Sequence, residues 1–187
     1  IEFVSANPTG PIHIGHMRGA IYGDVLANIL QKTGSEVIRE YYVNDHGLQI
    51  KNFVLSVYYR ILEIKKKEPF PKDTNLYPGD YIINIARKII GNKSIKHFDN
   101  FEKIYKKLSL ESLKYSMDLI VENLNLLGIK HNNFVYESQL INKKLVSKIV
   151  KKLGKEKFIY KGKLEPPKGD QTKDWKARNQ LLFKSTM

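Results

Sequence analysis

The 187-residue chain contains no cysteine. Disulfides and thiolate metal sites are therefore excluded, and the composition fits a reducing compartment, so a cytoplasmic protein is expected. No apolar run approaches the roughly 20 residues that cross a bilayer, so no membrane segment is expected. Internal repeats and low-complexity tracts are also lacking. Acidic side chains are few beside basic ones, 19 Asp and Glu against 32 Lys and Arg, for a formal net charge of +13. Hydrophobic residues at 42% and charged residues at 27% are ordinary for a soluble globular protein. A chain of this size hides about 70% of the surface its unfolded form exposes, enough for one domain with a core and an insertion.

The positive charge is unevenly spread. Residues 1–50 hold three basic and five acidic side chains, net −2, whereas residues 138–187 hold fourteen basic and four acidic, net +10. A field of that sign attracts a phosphate backbone. Lysine-rich surfaces also serve solubility alone, so the basic segment leaves both readings open.

The most informative stretch is Asn7-Pro8-Thr9-Gly10-Pro11-Ile12-His13-Ile14-Gly15-His16. It follows an apolar, β-prone run from Ile1 to Ala6 and precedes a run from Met17 to Thr33. There, apolar groups recur at Met17, Ile21, Val25 and Ile29 with helical spacing, and Gly34 provides a stop. The stretch is thus expected to join a strand's carboxyl end to a helix. Ligands bind at that position in open α/β sheets, and the free N–H groups and positive end of the helix favour a polyanion such as a triphosphate. His13 and His16, three apart, share one face of the first helical turn. Donors aimed at a phosphorus centre that gathers charge as pyrophosphate leaves would contribute on the order of 3 kcal/mol each. Gly15 would leave room for a nucleotide to approach the helix backbone. Two such histidines could also be merely solvated. A metal site is disfavoured, because no cysteine, third histidine or carboxylate completes a ligand set at standard spacing.

The pattern His13-Ile14-Gly15-His16 resembles the signature of class I aminoacyl-tRNA synthetases. Its surroundings resemble the bacterial arginyl type: Val4-Ser5-Ala6-Asn7-Pro8-Thr9-Gly10, Gly19-Ala20, Gly23-Asp24 and Tyr41-Tyr42-Val43-Asn44-Asp45-His46-Gly47. Tyr136-Glu137-Ser138 and Asn179 to Thr186 look like the same family more weakly. The resemblance implies ATP-dependent attachment of L-arginine to its tRNA through an arginyl-adenylate. Magnesium would be carried on the nucleotide and no metal bound by protein. His13 and His16 would be catalytic, Thr9, Gly10, His13, Gly15 and His16 would bind ATP, and Glu2, Ser5 and Asn7 would contact arginine. Glu2 carries the sign a guanidinium needs, since the two planar groups form paired charge-assisted hydrogen bonds. Glutamyl-type relatives place an arginine near this part of the strand. By itself Glu2 is equally an ordinary exposed acid.

Some arginyl enzymes have a lysine near position 10 and lack a downstream Lys-Met-Ser-Lys-Ser loop, whereas those with glycine keep it. This chain has Gly10 and no such loop. The resemblance therefore implies further segments, and the chain is expected to be the amino-terminal half of a catalytic domain, inactive alone and with an exposed flank. Two other classes stay open. One is another nucleotidyltransferase of the His-x-Gly-His type, although those usually carry a Gly-x-Phe-Asp turn. The other is a non-enzymatic RNA-binding relative, which the intact histidine pair disfavours.

The fold expected is α/β, an incomplete half of a Rossmann-like doubly wound parallel sheet with a helical insertion. Glu36 to Val43 reads as the second strand, with Val37, Arg39, Tyr41 and Val43 on one face, and Gly47 to Lys65 as a helix. Asp45 and Gln49 lie near the crevice, where turn and capping roles compete with site roles. Residues 1–65 are thus the first half of the nucleotide fold. Residues 66–107, broken by Pro69, Pro71, Pro78 and Gly79, are an insertion with a short helix from Tyr81 to Ile90. Residues 108–187 continue the core. They comprise a helix from Leu108 to Leu127 stopped by Gly128, a strand from Phe134 to Tyr136, a helix from Asn142 to Leu153, and a β element from Phe158 to Leu164. His97 and His131 are expected to be surface or packing residues.

Overall fold

The computed structural model describes residues 1–95, 97–164 and 177–184. Residues 165–176 and 185–187 of the basic segment, including Ser185 and Thr186 of the Asn179–Thr186 stretch, lie outside the described residues. Along the chain run α1 (Ile14–Lys32), β1 (Glu40–Val43), α2 (Leu48–Lys66), α3 (Asp80–Asn92), α4 (Phe101–Leu126), β2 (Asn133–Tyr136), α5 (Glu137–Asn142), α6 (Leu145–Lys155), β3 (Ile159–Gly162) and β4 (Gln180–Phe183). They divide into two units, Ile1–Gln139 and Leu140–Met187.

In the first unit β1 pairs in parallel with β2, from Glu40 opposite Asn133 to Val43 opposite Tyr136, and Glu40 also forms a parallel bridge with Glu2. β1 is thus the middle of three parallel segments, the order that opens a doubly wound sheet. The expected first strand is less regular than its apolar sequence implies. Only Glu2 bridges, and Val4 and Ser5 take left-handed φ values of 68° and 42°. The Ser5 hydroxyl replaces the backbone ladder there, accepting the N–H of Tyr42 at 2.9 Å and donating to the Glu2 carboxylate.

α1 meets the sheet through small residues. Its buried positions are Ala20, Gly23 and Ala27, while Ile21, Val25 and Ile29, which mark the helix in sequence, are about half exposed at 52%, 50% and 55%. A Cβ on Gly23 would lie 2.3 Å from the Phe3 ring, so the helix sits closer to the first segment than any larger side chain allows. Two cores result. Phe3, Ala6, Ala20, Tyr41 and Val43 pack with Met117, Ile120 and Leu124 from the second half of α4. Phe53, Val57 and Ile61 of α2 pack with Ile82, Ile85 and Ile89 of α3 and with Leu108 of α4. α3 therefore docks on α2. α4 starts at Phe101, earlier than its apolar stripe begins, because the Asn100 side chain caps it by accepting the Lys103 N–H at 3.1 Å. It ends before Gly128, whose φ of 74° suits only glycine comfortably.

In the second unit, β3 and β4 form an antiparallel pair, and Phe158 stacks with Phe183 at 6.2 Å between ring centroids. The helix expected from Asn142 to Leu153 is α6, which starts later, at Leu145, because Lys144 before it adopts a left-handed φ of 54°; the short α5 ahead of it was not expected.

Candidate active site

His13 is the N-cap of α1, in extended conformation, and its Nδ1 accepts the N–H of Gly15 at 3.1 Å. His16, one turn on, accepts the His13 N–H through its own Nδ1 at 3.3 Å. The two rings stack, with centroids 3.8 Å apart and an interplanar angle of 26°. Both Nδ1 atoms are therefore acceptors, which places the proton of each neutral ring on Nε2. The pair presents two Nε2–H donors from one stacked unit at the positive end of a 19-residue helix. Partial burial, then the neighbouring His13 charge, holds the His16 pKa below its ordinary value and favours this neutral form.

The helix start differs from expectation in one respect. The Gly15 N–H, expected to be free for a ligand, is engaged by His13. The first atoms a Cβ on Gly15 would meet are Cε1 and Nδ1 of that ring, at 3.0 and 3.1 Å. Gly15 thus makes room for the histidine stack.

The preceding turn is anchored on both sides. Pro8 and Ile12 are buried, and the Thr9 carbonyl accepts the Tyr81 hydroxyl from α3 at 2.9 Å. The Tyr81 ring lies over Gly10, where a Cβ would come within 3.0 Å of its hydroxyl oxygen. Nothing in the sequence marks Tyr81 as a neighbour of this turn, because α3 belongs to the segment whose composition reads as an insertion.

Glu2, Ser5 and Asn7 sit before the turn. Glu2 is exposed and accepts the Ser5 hydroxyl, which joins these two residues, while Asn7 donates through its amide to Gln49 Oε1 at 2.8 Å. Gln49 thus contacts a candidate site residue. Asp45 instead organises the ends of β1 and β2, because its two carboxylate oxygens accept the N–H and hydroxyl of Ser138 at 2.8 and 2.6 Å. Beside it, Val43, Asp45, Tyr136 and Ser138 line a cavity of about 360 Å³ with Leu113, Lys114, Met117 and Asp118 of α4. Lys114 and Asp118 carry no signal in sequence, since they lie on a helix that reads as core. His131 packs between the rings of Phe3 and Tyr41, and burial lowers its pKa. His97 is exposed.

A parallel half-sheet, with a stacked histidine pair capping the helix after its first segment, defines the opening of a class I synthetase nucleotide fold. Residues 1–163 match the family model for the catalytic domain of class I (R) tRNA synthetases, and the chain belongs to that family. Along its whole length it is 50% identical to an arginine–tRNA ligase of Pelagibacter ubique and 48% identical to one of Ehrlichia chaffeensis, covering 32% of each. The chain thus spans about a third of these relatives. A solved chain from Campylobacter jejuni assigned as an arginyl-tRNA synthetase superposes with a TM-score of 0.78 at 32% identity, over 95% of this chain and 39% of that one. The arginyl-tRNA synthetase of Thermus thermophilus, at 18% identity and a TM-score of 0.55 over 91% of this chain and 28% of that one, shares the fold.

Proposed function

We propose that the chain provides the nucleotide-facing part of an ATP-dependent arginine–tRNA ligase acting in the cytoplasm. An arginine carboxylate oxygen would attack the α-phosphorus of ATP, forming arginyl-adenylate as the bond to the β-phosphate breaks and pyrophosphate leaves. A ribose hydroxyl of tRNA would then take the arginyl group and release AMP. Magnesium enters on the nucleotide phosphates, outside any protein ligand set in this reading. The observation that carries it is the histidine pair: with both Nδ1 atoms held by backbone N–H groups, both Nε2–H bonds are free to meet negative charge on the phosphates. Preorganised donors of this kind lower a barrier because they need no reorientation as charge develops.

Thr9, Gly10 and Gly15 form the nucleotide-facing backbone on either side of the pair. Glu2, Ser5 and Asn7 receive the arginine, Glu2 by charge and the other two by hydrogen bonds. The Glu2–Ser5 bond supports this assignment because it holds the carboxylate near the strand end. The basic segment 138–187 would face tRNA phosphates.

The test is charging of tRNA with labelled arginine by the full-length gene product beside a His13→Ala, His16→Ala double variant. Arginine transfer that the double variant loses by about 100-fold or more is expected. Transfer of a different amino acid would overturn the arginine assignment and keep the class. No transfer of any amino acid, with RNA still bound, would replace catalysis by RNA binding.

A further inference from the structure

The Pro-Thr-Gly turn must hold its shape for His13 to reach its cap position. Buried Pro8 and Ile12 anchor its two ends, and a brace on Thr9 and Gly10 between them comes from elsewhere in the fold. The Tyr81 hydroxyl donates to the Thr9 carbonyl at 2.9 Å, and its ring closes over Gly10 so tightly that a Cβ there would lie 3.1 Å from Cζ and 3.3 Å from Cε2. On its other side the ring rests against Gly79, where a Cβ would come 2.6 Å from Cε1. The ring is thus held between Gly79, at the cap of its own helix, and Gly10 from a distant part of the chain. Its helix cannot drift, since Ile82, Ile85, Ala86 and Ile89 are buried against α2 and α4.

We propose that Tyr81 is a positioning residue for adenylate formation, transmitting the rigidity of the α2–α3–α4 core to the Thr9–Gly10 turn and so setting the histidine pair. This rests on the functional reading above. The hydroxyl matters because it is the donor that satisfies the Thr9 carbonyl, and the glycine at position 10 matters because a Cβ there would press on the ring. Burial pushes the Tyr81 pKa up to about 12, so the phenol keeps its proton throughout the working range.

The experiment is Tyr81→Phe in the full-length protein. It keeps the ring and removes one hydrogen bond, so the melting temperature should hold within a few degrees. Turnover in arginine charging should fall about tenfold, with the KM for arginine unchanged. The imidazole NMR resonances of His13 and His16 should shift, which a purely structural role for Tyr81 would not produce. Gly10→Ala should cost less turnover in a Tyr81→Ala background than in the wild type, because its clash partner is gone. Turnover within twofold of wild type in Tyr81→Phe would overturn the proposal. So would lost turnover with unshifted imidazole resonances, or equal penalties for Gly10→Ala in both backgrounds. The NMR comparison needs no substrate. A wild type that fails to charge arginine would therefore refute the functional reading, while the resonances still decide whether Tyr81 sets the turn.

Discussion

His13 and His16 illustrate how one residue type takes on two jobs at once. Each ring uses Nδ1 to hold the start of α1 and leaves Nε2 outside the cap, so protonating either ring at Nδ1 removes a cap as well as changing a charge. Burial lowers the pKa of His16, and of His131 between Phe3 and Tyr41. The unfolded chain therefore binds protons on these rings before the folded one does. Their contribution to stability is complete above about pH 6.5 and is lost as the pH falls through the lowered folded values. Melting temperature should drop on acidification across that range, and His131→Phe should flatten the dependence in a series of thermal melts. Glu2 gives the second prediction at this scale. On the proposal that its carboxylate receives the arginine guanidinium, Glu2→Gln should raise the KM for arginine at least tenfold and leave that for ATP within twofold, whereas an unchanged arginine KM would remove Glu2 from the pocket. The histidine pair was legible in sequence because it lies within four consecutive residues. Gln49, Ser138 and Tyr81 were not legible as partners of Asn7, Asp45 and Thr9, because those contacts close only when distant segments pack.

α1 and α4 show where helical pattern informs and where it misleads. The spacing of Met17, Ile21, Val25 and Ile29 announces a helix correctly, yet the buried face is Ala20, Gly23 and Ala27. Periodicity reports that a helix exists, while the depth of its approach decides which stripe is covered. Gly23 sets that depth. Gly23→Ala would drive a methyl group into the Phe3 ring and should destabilise the first unit by about 1–3 kcal/mol in denaturant titrations, despite the higher helix propensity of alanine. α4 behaves in the opposite sense. Ser112 and Ser116 are fully buried, and neither hydroxyl has a hydrogen-bond partner among the described residues. A desolvated, unpaired hydroxyl costs stability, so Ser112→Ala and Ser116→Ala should be neutral to stabilising by up to about 1 kcal/mol in the same assay. The first parallel segment is the element that sequence overstated. Residues 1–6 are β-prone, but Ser5 takes over the bond to Tyr42 and turns the chain away from regular pairing after Glu2.

Across the whole molecule, charge is unevenly divided. The net −2 of residues 1–50 accompanies the histidine turn, and the net +10 of residues 138–187 accompanies the second unit, where Lys148, Lys151, Lys152 and Lys155 of α6 are exposed. If that segment meets tRNA, affinity should fall steeply between about 50 and 200 mM salt, and a flat response in filter binding would confine its lysines to solubility. On α1, Ile21, Tyr22, Val25 and Ile29 are all exposed. Among the described residues no helix is long and apolar enough to cross a membrane. By itself, the sequence determined the strand–turn–helix order around the histidine pair and the positions of the main helices, because a histidine pair, a Pro-Thr-Gly turn and helical periodicity are all local. It also determined the family, through residues crowded into the first 50 positions. Only the tertiary structure decided which face of α1 is buried, which nitrogen of each histidine is free, and that α3 braces the turn. Each of these depends on how closely two segments far apart in the chain approach one another, and no local spacing encodes that distance.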